Sequence, residues 1–197
     1  GYCAFVSRDT ATRALTVTNG YVNIATNYVE GIDYNARYTK EEVFGGRISA
    51  NLAVTQYLSR YSQLFPTDPI YDAIGTTSDP EYTAQFDLTF AKDQWRVRYG
   101  IDWTAATSDE EDQQARNGYS LLNDFGIDTR LNDYFLHNVS AQWAAKDFSV
   151  TVGVRNLFNA EPPSASGYWF TGVGNAPIYS GYDFYGRTAF VNLSKSF

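Results

Sequence analysis

The sequence predicts an all-β fold: a transmembrane, antiparallel β-barrel wall. Three observations support it. Apolar residues recur at every second position, the period of a strand with two unlike faces. The links between predicted strands alternate between short turns and runs of about twenty residues, which are longer than ordinary loops. The charged side chains within these strands lie mainly on one face. Outer-membrane barrels have these properties because their short turns lie at one end and their outer face meets lipid.

Seven strands follow from the alternation, which is clearest in WRVRYGIDWT. There Trp95, Val97, Tyr99, Ile101 and Trp103 share one face and the polar residues share the other. The predicted strands are approximately Tyr28–Thr39, Ile48–Leu58, Tyr82–Phe90, Trp95–Thr104, Leu131–Ala144, Phe148–Phe158 and Tyr182–Phe197.

The links give each end of the predicted sheet a different character. Short turns are predicted near Lys40–Gly46, Ala91–Gln94 and Ala145–Asp147. Long links span about 59–80, 108–129 and 159–181, and in a barrel they would be extracellular loops. We expect residues 1–26 to be an extracellular loop segment with a possible short hairpin, and residues 27–197 to be barrel strands.

Charge placement indicates which face is wet. A Lys or Arg facing lipid at the bilayer midplane costs about 2–4 kcal/mol, a large part of the roughly 5–15 kcal/mol of net stability of a folded protein. The charged residues that the alternation places on the polar face of the strands are Asp33, Arg37, Asp87, Arg96, Arg98, Asp102 and Arg155. Of these, we expect Arg96, Arg98, Asp102 and Arg155 to form a polar network in the lumen.

The spacing of two tryptophans on the apolar face also favours a membrane. Trp95 and Trp103 are eight positions apart, a rise of roughly 26 Å at about 3.3 Å per residue. With strand tilt, this separation matches the aromatic girdles at the two edges of the apolar band. The alternation places His137 and Lys195 on the apolar face as well. We expect them at the two rims of the apolar band, where exposing a polar group to the membrane costs little free energy.

Composition excludes several classes of function. The net charge is −7 and the sequence pI is about 4.6, so no basic surface for nucleic acid is expected. No apolar run is long enough for a transmembrane helix. The chain has no Met, so we expect Gly1 to follow upstream sequence or a processed leader.

The C-terminal part resembles a known family. VRNLFNAEPP, within Val154–Pro163, is similar to the V-x-N-L-F-(D/N)-x-x-P-P pattern that closes the penultimate strand of TonB-dependent outer-membrane receptors. The final strand of that family carries Y-D-x-x-G-R and ends on an aromatic residue, as do Tyr182, Asp183, Gly186, Arg187 and Phe197 here. GYCAFVSRD, NYVEGIDYNARY and LNDYF extend the resemblance over nearly the whole chain.

The resemblance implies a fold, a function and partners. This chain would supply about the last seven strands of a roughly 22-stranded barrel, in a protein that takes up a scarce nutrient (a siderophore, vitamin or glycan) by active transport across the bacterial outer membrane. No TonB box and no plug domain are found in it. We therefore expect its open edges to pair with a polypeptide or chain portion that carries the plug and the remaining strands. TonB would act indirectly through the plug, and lipid and lipopolysaccharide would surround the barrel.

The resemblance also gives roles to single residues. Phe197 resembles the terminal signal read by the outer-membrane assembly machinery, although Lys195 interrupts the apolar pattern before it. Cys3 is the one cysteine, and similar receptors often have a cysteine here that forms a disulfide in the outer loop. Its partner would then lie outside this chain; the alternative is a free thiol.

For catalysis and metal binding the sequence offers little, and we expect no enzyme, cofactor or metal site. His137 is the single histidine, and no nucleophile motif accompanies it. The acidic run Ser108–Asp112 lacks the alternation and glycine of a calcium loop, so we interpret it as a solvated loop tip. The Asn138–Ser140 sequon lies within a strand and is interpreted as chance.

The long aromatic loop before the last strand is the best candidate for ligand binding. Flat aromatic rings beside glycines can stack on sugars or on the rings of a metal chelate. The candidate residues are Tyr168, Trp169, Phe170 and Tyr179. The alternative is that these rings only pack the loop or sit in the outer aromatic belt.

Two other functions remain open at this stage. One is a self-contained small outer-membrane barrel of about eight strands with a structural or adhesive role, in which Leu15–Ile24 would be the eighth strand. The other is a soluble carbohydrate-binding β-sandwich, which explains the alternation but neither the loop asymmetry nor the tryptophan spacing.

Overall fold

A computed structural model describes residues 6–17, 25–166, 172–174, 176–178 and 181–196. A short hairpin of β1 (Val6–Arg8) and β2 (Leu15–Val17) precedes the main sheet. The main sheet contains β3 (Thr26–Val43), β4 (Gly46–Gln63), β5 (Tyr82–Lys92), β6 (Trp95–Thr104), β7 (Tyr134–Ala144), β8 (Phe148–Arg155) and β11 (Thr188–Lys195). Two helices lie between β6 and β7, α1 (Glu110–Asn117) and α2 (Leu121–Phe125), and a small hairpin of β9 (Gly172–Val173) and β10 (Ala176–Pro177) lies between β8 and β11.

The main sheet is an antiparallel meander of seven strands in the order β11-β8-β7-β6-β5-β4-β3. Each predicted strand has a counterpart in it, and the predicted all-β antiparallel fold is confirmed. Two-residue turns join β3 to β4 and β5 to β6, and a three-residue turn joins β7 to β8. Since the strands alternate in direction, these turns share one end, the short-turn end. The long links share the opposite, long-loop end.

Several strand ends differ from the prediction, and local backbone geometry explains two of them. β8 stops at Arg155 rather than Phe158 because Asn156 adopts a left-handed conformation with φ 51°. β11 begins at Thr188 rather than Tyr182, just after Gly186 with φ 71°. β7 begins at Tyr134 rather than Leu131, and Leu131 pairs instead with Thr107 in an isolated bridge.

β3 and β4 are longer than predicted, at 18 residues each. Transmembrane strands need only about 9–11 residues. β5 pairs with β4 only up to Gln56, so the remainder of β3 and β4 continues beyond the sheet as a two-stranded ladder at the long-loop end. A register shift between Glu30 and Gly31 marks its base, and Gly31 fits there because a Cβ would lie 2.7 Å from the Gln56 carbonyl oxygen.

Strand pairing aligns the two predicted faces across the sheet. Trp95 lies opposite Trp143, Tyr99 opposite Val139, and Trp103 opposite Phe135. Aromatic rings gather at both ends of this apolar face. Trp95, Trp143 and Phe148 lie near the short turns, and Tyr82, Trp103 and Phe135 stack near the long links, with centroid separations of 6.5 and 6.3 Å.

Burial is concentrated at the long-loop end rather than in the sheet. The least exposed hydrophobic residues in the described part of the chain are Leu131 at 1% and Leu121 at 2%. Leu131 packs with Tyr134 and Tyr182, whose rings meet edge to face at 5.0 Å. The long links therefore fold into a loop layer with a core of its own.

The two helices belong to this loop layer and were not predicted. Gly118 and Gly126 end them in left-handed conformations, and the Ser120 side chain accepts a hydrogen bond from Asn123 N at the start of α2. Neither described helix is long and apolar enough to cross a membrane.

Candidate functional site

The polar face of the sheet carries a series of side-chain contacts between neighbouring strands. Thr55 donates to Asp33 at 2.7 Å, and Arg37 donates to Asn51 at 2.8 Å. Toward the middle of the sheet, Arg98 forms an ion pair with Asp87. These contacts lie on one face because cross-strand neighbours in register point the same way.

Gly100 leaves space beside the Arg98–Asp87 pair. A Cβ at this position would lie 3.0 Å from Asp87 Oδ1 and 3.2 Å from the Arg98 guanidinium. Because Gly100 lies opposite Asp87 in the register, the missing side chain leaves room for the pair to lie flat over the backbone.

A chain of hydrogen bonds leads from this face to the exit of β8. Asn138 donates to Asp102 at 2.9 Å and accepts from Asn156 N at 3.1 Å. Asn156 is 1% exposed. Its side chain accepts from Ala160 N at 2.7 Å, donates to Ala160 O at 2.9 Å, and donates to Asp183 at 3.4 Å. The side chain thus closes the turn after β8 and ties it to the segment before β11.

Asn159 makes a second tie between the same segments. Its side-chain oxygen accepts from Arg187 N at 2.9 Å, and a Cβ on Gly186 would lie 2.9 Å from that oxygen. The Asn-Leu-Phe-Asn motif therefore acts through its two asparagines, each of which has a positive φ.

The structure brings together three of the four residues predicted for the polar network. Arg98, Asp102 and Arg155 line one cavity of about 520 Å³, together with Asn138, Asn156, Asp183 and other residues. Arg96 lies outside it, nearer the short turns and opposite Ala91 and Gln142. Sequence parity identified the charged residues. It did not identify Asn138, Asn156 or Asp183, because their contacts join residues far apart in the chain.

Arg155 lies against an aromatic ring of the polar face. Its guanidinium carbon lies 5.5 Å from the centroid of the Phe190 ring. Phe190 in turn covers Gly153, where a Cβ would lie 2.5 Å from the ring. Phe190 is thus an aromatic residue on the polar face. Its ring lies between the backbone of Gly153, which has no side chain, and the guanidinium of Arg155.

A second, larger cavity lies in the loop layer. It has a volume of about 930 Å³, and its wall comes from the link between β4 and β5 and the link between β6 and β7. Backbone and side-chain contacts hold the two links together. Ser108 N donates to Gly75 O at 2.8 Å, Thr77 N donates to Asp109 at 2.7 Å, and the Arg116 guanidinium lies 4.7 Å from the Tyr71 ring centroid.

The acidic run Ser108–Asp112 helps to form this cavity, so its interpretation as a solvated loop tip is wrong. It opens α1 with three acids in the first turn, where negative charge is favourable. The Asp112 side chain is only 12% exposed and pairs with Arg116 at 2.7 Å.

Two aspartates of the cavity wall have lowered pKa values. Two hydrogen bonds from the Arg130 side chain and one from its backbone hold the pKa of Asp128 at about 2. Desolvation is the largest single influence on Asp72 and raises its pKa, but hydrogen bonds from the Ser59 side chain and from Ile74 N and Arg60 N together outweigh it, and the net shift is downward. Both groups are therefore ionised at neutral pH.

His137 has a partner on the apolar face. Its Nδ1 lies 2.6 Å from the Tyr99 hydroxyl, and its ring meets Phe158 edge to face at 4.9 Å. Among the residues that the structure describes, no group of three or more His, Cys, Asp or Glu side chains is arranged to hold a metal ion.

Several predicted site residues lie outside the described residues. These are the ligand-binding candidates Tyr168, Trp169, Phe170 and Tyr179, the cysteine Cys3 and the terminal Phe197. Their roles stay predictions.

Comparison with known proteins identifies the family. Residues 4–157 match the model of the TonB dependent receptor-like β-barrel family. The chain belongs to this family. Its members are outer-membrane transporters rather than enzymes, and the recognition made from the C-terminal motifs is confirmed. Among curated protein sequences no significant match is found.

Solved structures show the same fold. Two crystal structures of mutants of the ferric enterobactin receptor PfeA from Pseudomonas aeruginosa are similar to this chain at 20% identity, with TM-scores of 0.50 and 0.51. Each comparison covers 87% of this chain and 22% of the receptor chain. The chain therefore spans about a fifth of the length of those receptors and corresponds to part of a barrel.

Proposed function

We propose that this chain forms part of the barrel wall of a TonB-dependent receptor that imports a scarce nutrient across the bacterial outer membrane. The observation that carries the proposal is the single-layered sheet with unlike faces. Large apolar side chains remain open to the surroundings on one face, for example Val97 at 42% and Val191 at 64% exposure. Ion pairs and hydrogen bonds occupy the other face, so lipid suits the first and a lumen suits the second.

The remainder of the barrel and the plug would come from another portion of the protein. β3 and β11 are the outer strands of the sheet, and an unpaired strand edge is costly in lipid. Receptors of this family have a plug that responds to TonB, so transport here would be driven through the plug. Lipid and lipopolysaccharide would surround the apolar face.

The polar face is the proposed docking wall for the plug. Arg98 forms an ion pair with Asp87, and Asp102 accepts a hydrogen bond from Asn138. Charged groups that are already paired within the wall can contact a second surface without leaving buried charges unpaired. Arg96, at the end nearer the short turns, would then contact the plug closer to the periplasm.

Ferric siderophores are the substrate class to test first. The two similar solved structures are ferric enterobactin receptors, while vitamins and glycans are the other classes that receptors of this kind import. Tyr168, Trp169, Phe170 and Tyr179 remain the predicted aromatic contacts for such a ligand.

Iron uptake by cells tests the proposal. Cells lacking the full-length receptor should lose TonB-dependent uptake of at least one iron complex and regain it on complementation. Extracted receptor should migrate differently on gels before and after heating, as folded barrels do. Uptake that persists without TonB would contradict active transport.

The two alternatives can be separated from the proposal. A self-contained barrel with Leu15–Ile24 as its eighth strand would be recovered from outer membranes as this chain alone. In the described part of the chain, β2 pairs with β1. A soluble sandwich would remain in solution without detergent. Among the described residues no second sheet of comparable size packs on the main sheet.

A further inference from the structure

The cavity in the loop layer has the size of a ligand site. Small-molecule pockets typically measure about 300–1,000 Å³, and this one measures about 930 Å³. Its wall combines apolar surface from Tyr71 and Leu122 with polar backbone and hydroxyl groups around Thr107. Such a mixed wall suits a compact ligand with both apolar and polar parts.

The charged side chains that line the cavity are mostly negative. Five carboxylates line the cavity, from Asp72, Glu110, Glu111, Asp112 and Asp128, and one guanidinium, from Arg130. Arg130 pairs with Asp128, and Arg116 pairs with Asp112. Within the described residues, none of the other three carboxylates has an ion-pair partner. The wall therefore carries about three uncompensated negative charges.

The imbalance extends over the whole long-loop end. The three long links contain thirteen of the chain's 22 acidic residues and only three of its 15 basic residues. The short turns and their flanks contain nearly equal numbers of both signs. A cleft with one sign of charge attracts oppositely charged ligands and repels those of the same sign.

We propose that the cavity in the loop layer receives a ligand that is cationic or uncharged, and that it rejects polyanions such as a ferric tris-catecholate. The inference rests on the proposed function, because it specifies the substrate class for the same uptake. It also separates this receptor from the enterobactin receptors that share its fold, since a tris-catecholate complex of Fe³⁺ is a trianion. Ferric hydroxamates, which are neutral or monocationic, have the charge that the wall favours.

Two of the five carboxylates that line the cavity stay ionised over the pH range in which a receptor works. The Arg130 hydrogen bonds keep the pKa of Asp128 near 2, and hydrogen bonds lower that of Asp72. We expect the selectivity to depend strongly on ionic strength, because salt screens exposed charges over about 8 Å at physiological strength.

Binding of three iron complexes to the purified full-length receptor tests the inference. The probes are a monocationic ferric trihydroxamate, a neutral ferric trihydroxamate and a trianionic ferric tris-catecholate, each measured by stopped-flow quenching of tryptophan fluorescence. We expect the trianion to bind most weakly, and added salt to slow association of the monocation.

A pair of charge-removing variants locates the effect. Glu110→Gln with Glu111→Gln removes two charges from the cavity wall while leaving an acceptor for Leu122 N, which now donates to Glu110 at 3.2 Å. At low salt this variant should slow association of the monocation about tenfold. Glu41→Gln with Glu42→Gln removes the same charge at the short-turn end and should change the rate less than about twofold.

The outcomes are distinguishable. Tighter binding of the trianion, or equal effects of the two double variants, overturns the charge inference alone. If none of the three complexes binds, the charge inference and the ferric-siderophore assignment both fail, whereas TonB-dependent uptake of another nutrient would leave the receptor function standing.

Discussion

The main sheet and the loop layer differ in how far they bury their apolar side chains. In the sheet, large side chains such as Trp95 at 56% and Leu193 at 68% exposure remain open. In the loop layer, Leu121 and Leu131 are almost completely buried within the chain itself. The sheet is therefore incomplete without lipid and neighbouring strands, whereas the loop layer carries its own core. Variants in the two regions should differ in what they damage.

A charge placed on the apolar face should have the largest effect. Leu88→Arg on β5 would put a guanidinium against lipid at an expected cost of about 2–4 kcal/mol near the midplane. Gln85→Arg on the same strand is the matched control, because Gln85 lies on the polar face opposite Asp102. Urea unfolding of the full-length receptor in lipid vesicles measures both. Equal destabilisation by the two variants would contradict the assignment of the faces.

The junction between sheet and loop layer should be the next most sensitive point. Asn156→Gly keeps the left-handed backbone but removes the buried side chain and its bonds to Ala160 and Asp183. We expect a loss of about 1–3 kcal/mol, read from the urea midpoint. Asn159→Gly, at a more exposed site with one such bond, should cost less. A larger loss at Asn159 would show that the Asn156 bonds do not hold the junction.

Within the polar face, Gly153→Ala should disturb the packing of the last strand. The added Cβ would meet the Phe190 ring at 2.5 Å and Val139 O at 2.8 Å, with an expected cost of about 1–2 kcal/mol. Combining it with Phe190→Ala should be less damaging than the sum of the two single changes, because the ring is then gone. Strict additivity in a double-mutant cycle would refute the contact.

In the loop layer, Arg116→Gln should lower the free energy of unfolding by less than about 1 kcal/mol, because the ion pair between Arg116 and Asp112 is partly exposed. The change should instead loosen the contact between α1 and Tyr71. Hydrogen exchange of the two links, measured by mass spectrometry, should accelerate there and remain unchanged in β5 and β6. Unchanged exchange in the links would show that Arg116 does not join them.

The smallest effect should be a dependence on acid at Asp128. Its pKa is lowered from 3.8 to about 2 in the folded chain. The Asp128–Arg130 pair therefore stabilises the loop layer above about pH 4, and this contribution is lost as the pH falls toward 2. The difference in unfolding temperature between wild type and Asp128→Asn should shrink over that interval. A difference that stays constant would show that this carboxylate is not the group that titrates.

The same contrast explains what the sequence could predict. Every strand of the main sheet was found because membrane and lumen impose a strict period of two, which no packing inside the chain can override. The loop layer has no such external constraint. α1 is almost entirely polar and α2 has five residues, so neither shows the periodicity that would predict a helix.

The residues of the candidate site differ in the same way. The alternation within single strands was enough to place Arg98, Asp102 and Arg155 on the polar face, where they line one cavity. Asn156 was recognised as part of a motif, but its contacts with Asn138 and Asp183 depend on how β7, β8 and the last link come together. The acidic wall of the cavity in the loop layer was missed because its carboxylates come from two separate links and converge only in the folded structure.

The arrangement of short turns at one end also affects how this protein can change over evolution. Left-handed residues such as Gly45 and Asp93 fix the register of the β3–β4 and β5–β6 hairpins from the short-turn end. An insertion or deletion in a long link therefore leaves the pairing of the strands below it intact. Loop length, loop charge and ligand preference can diverge while the wall keeps its register, and two receptors with superimposable barrels can recognise unrelated nutrients.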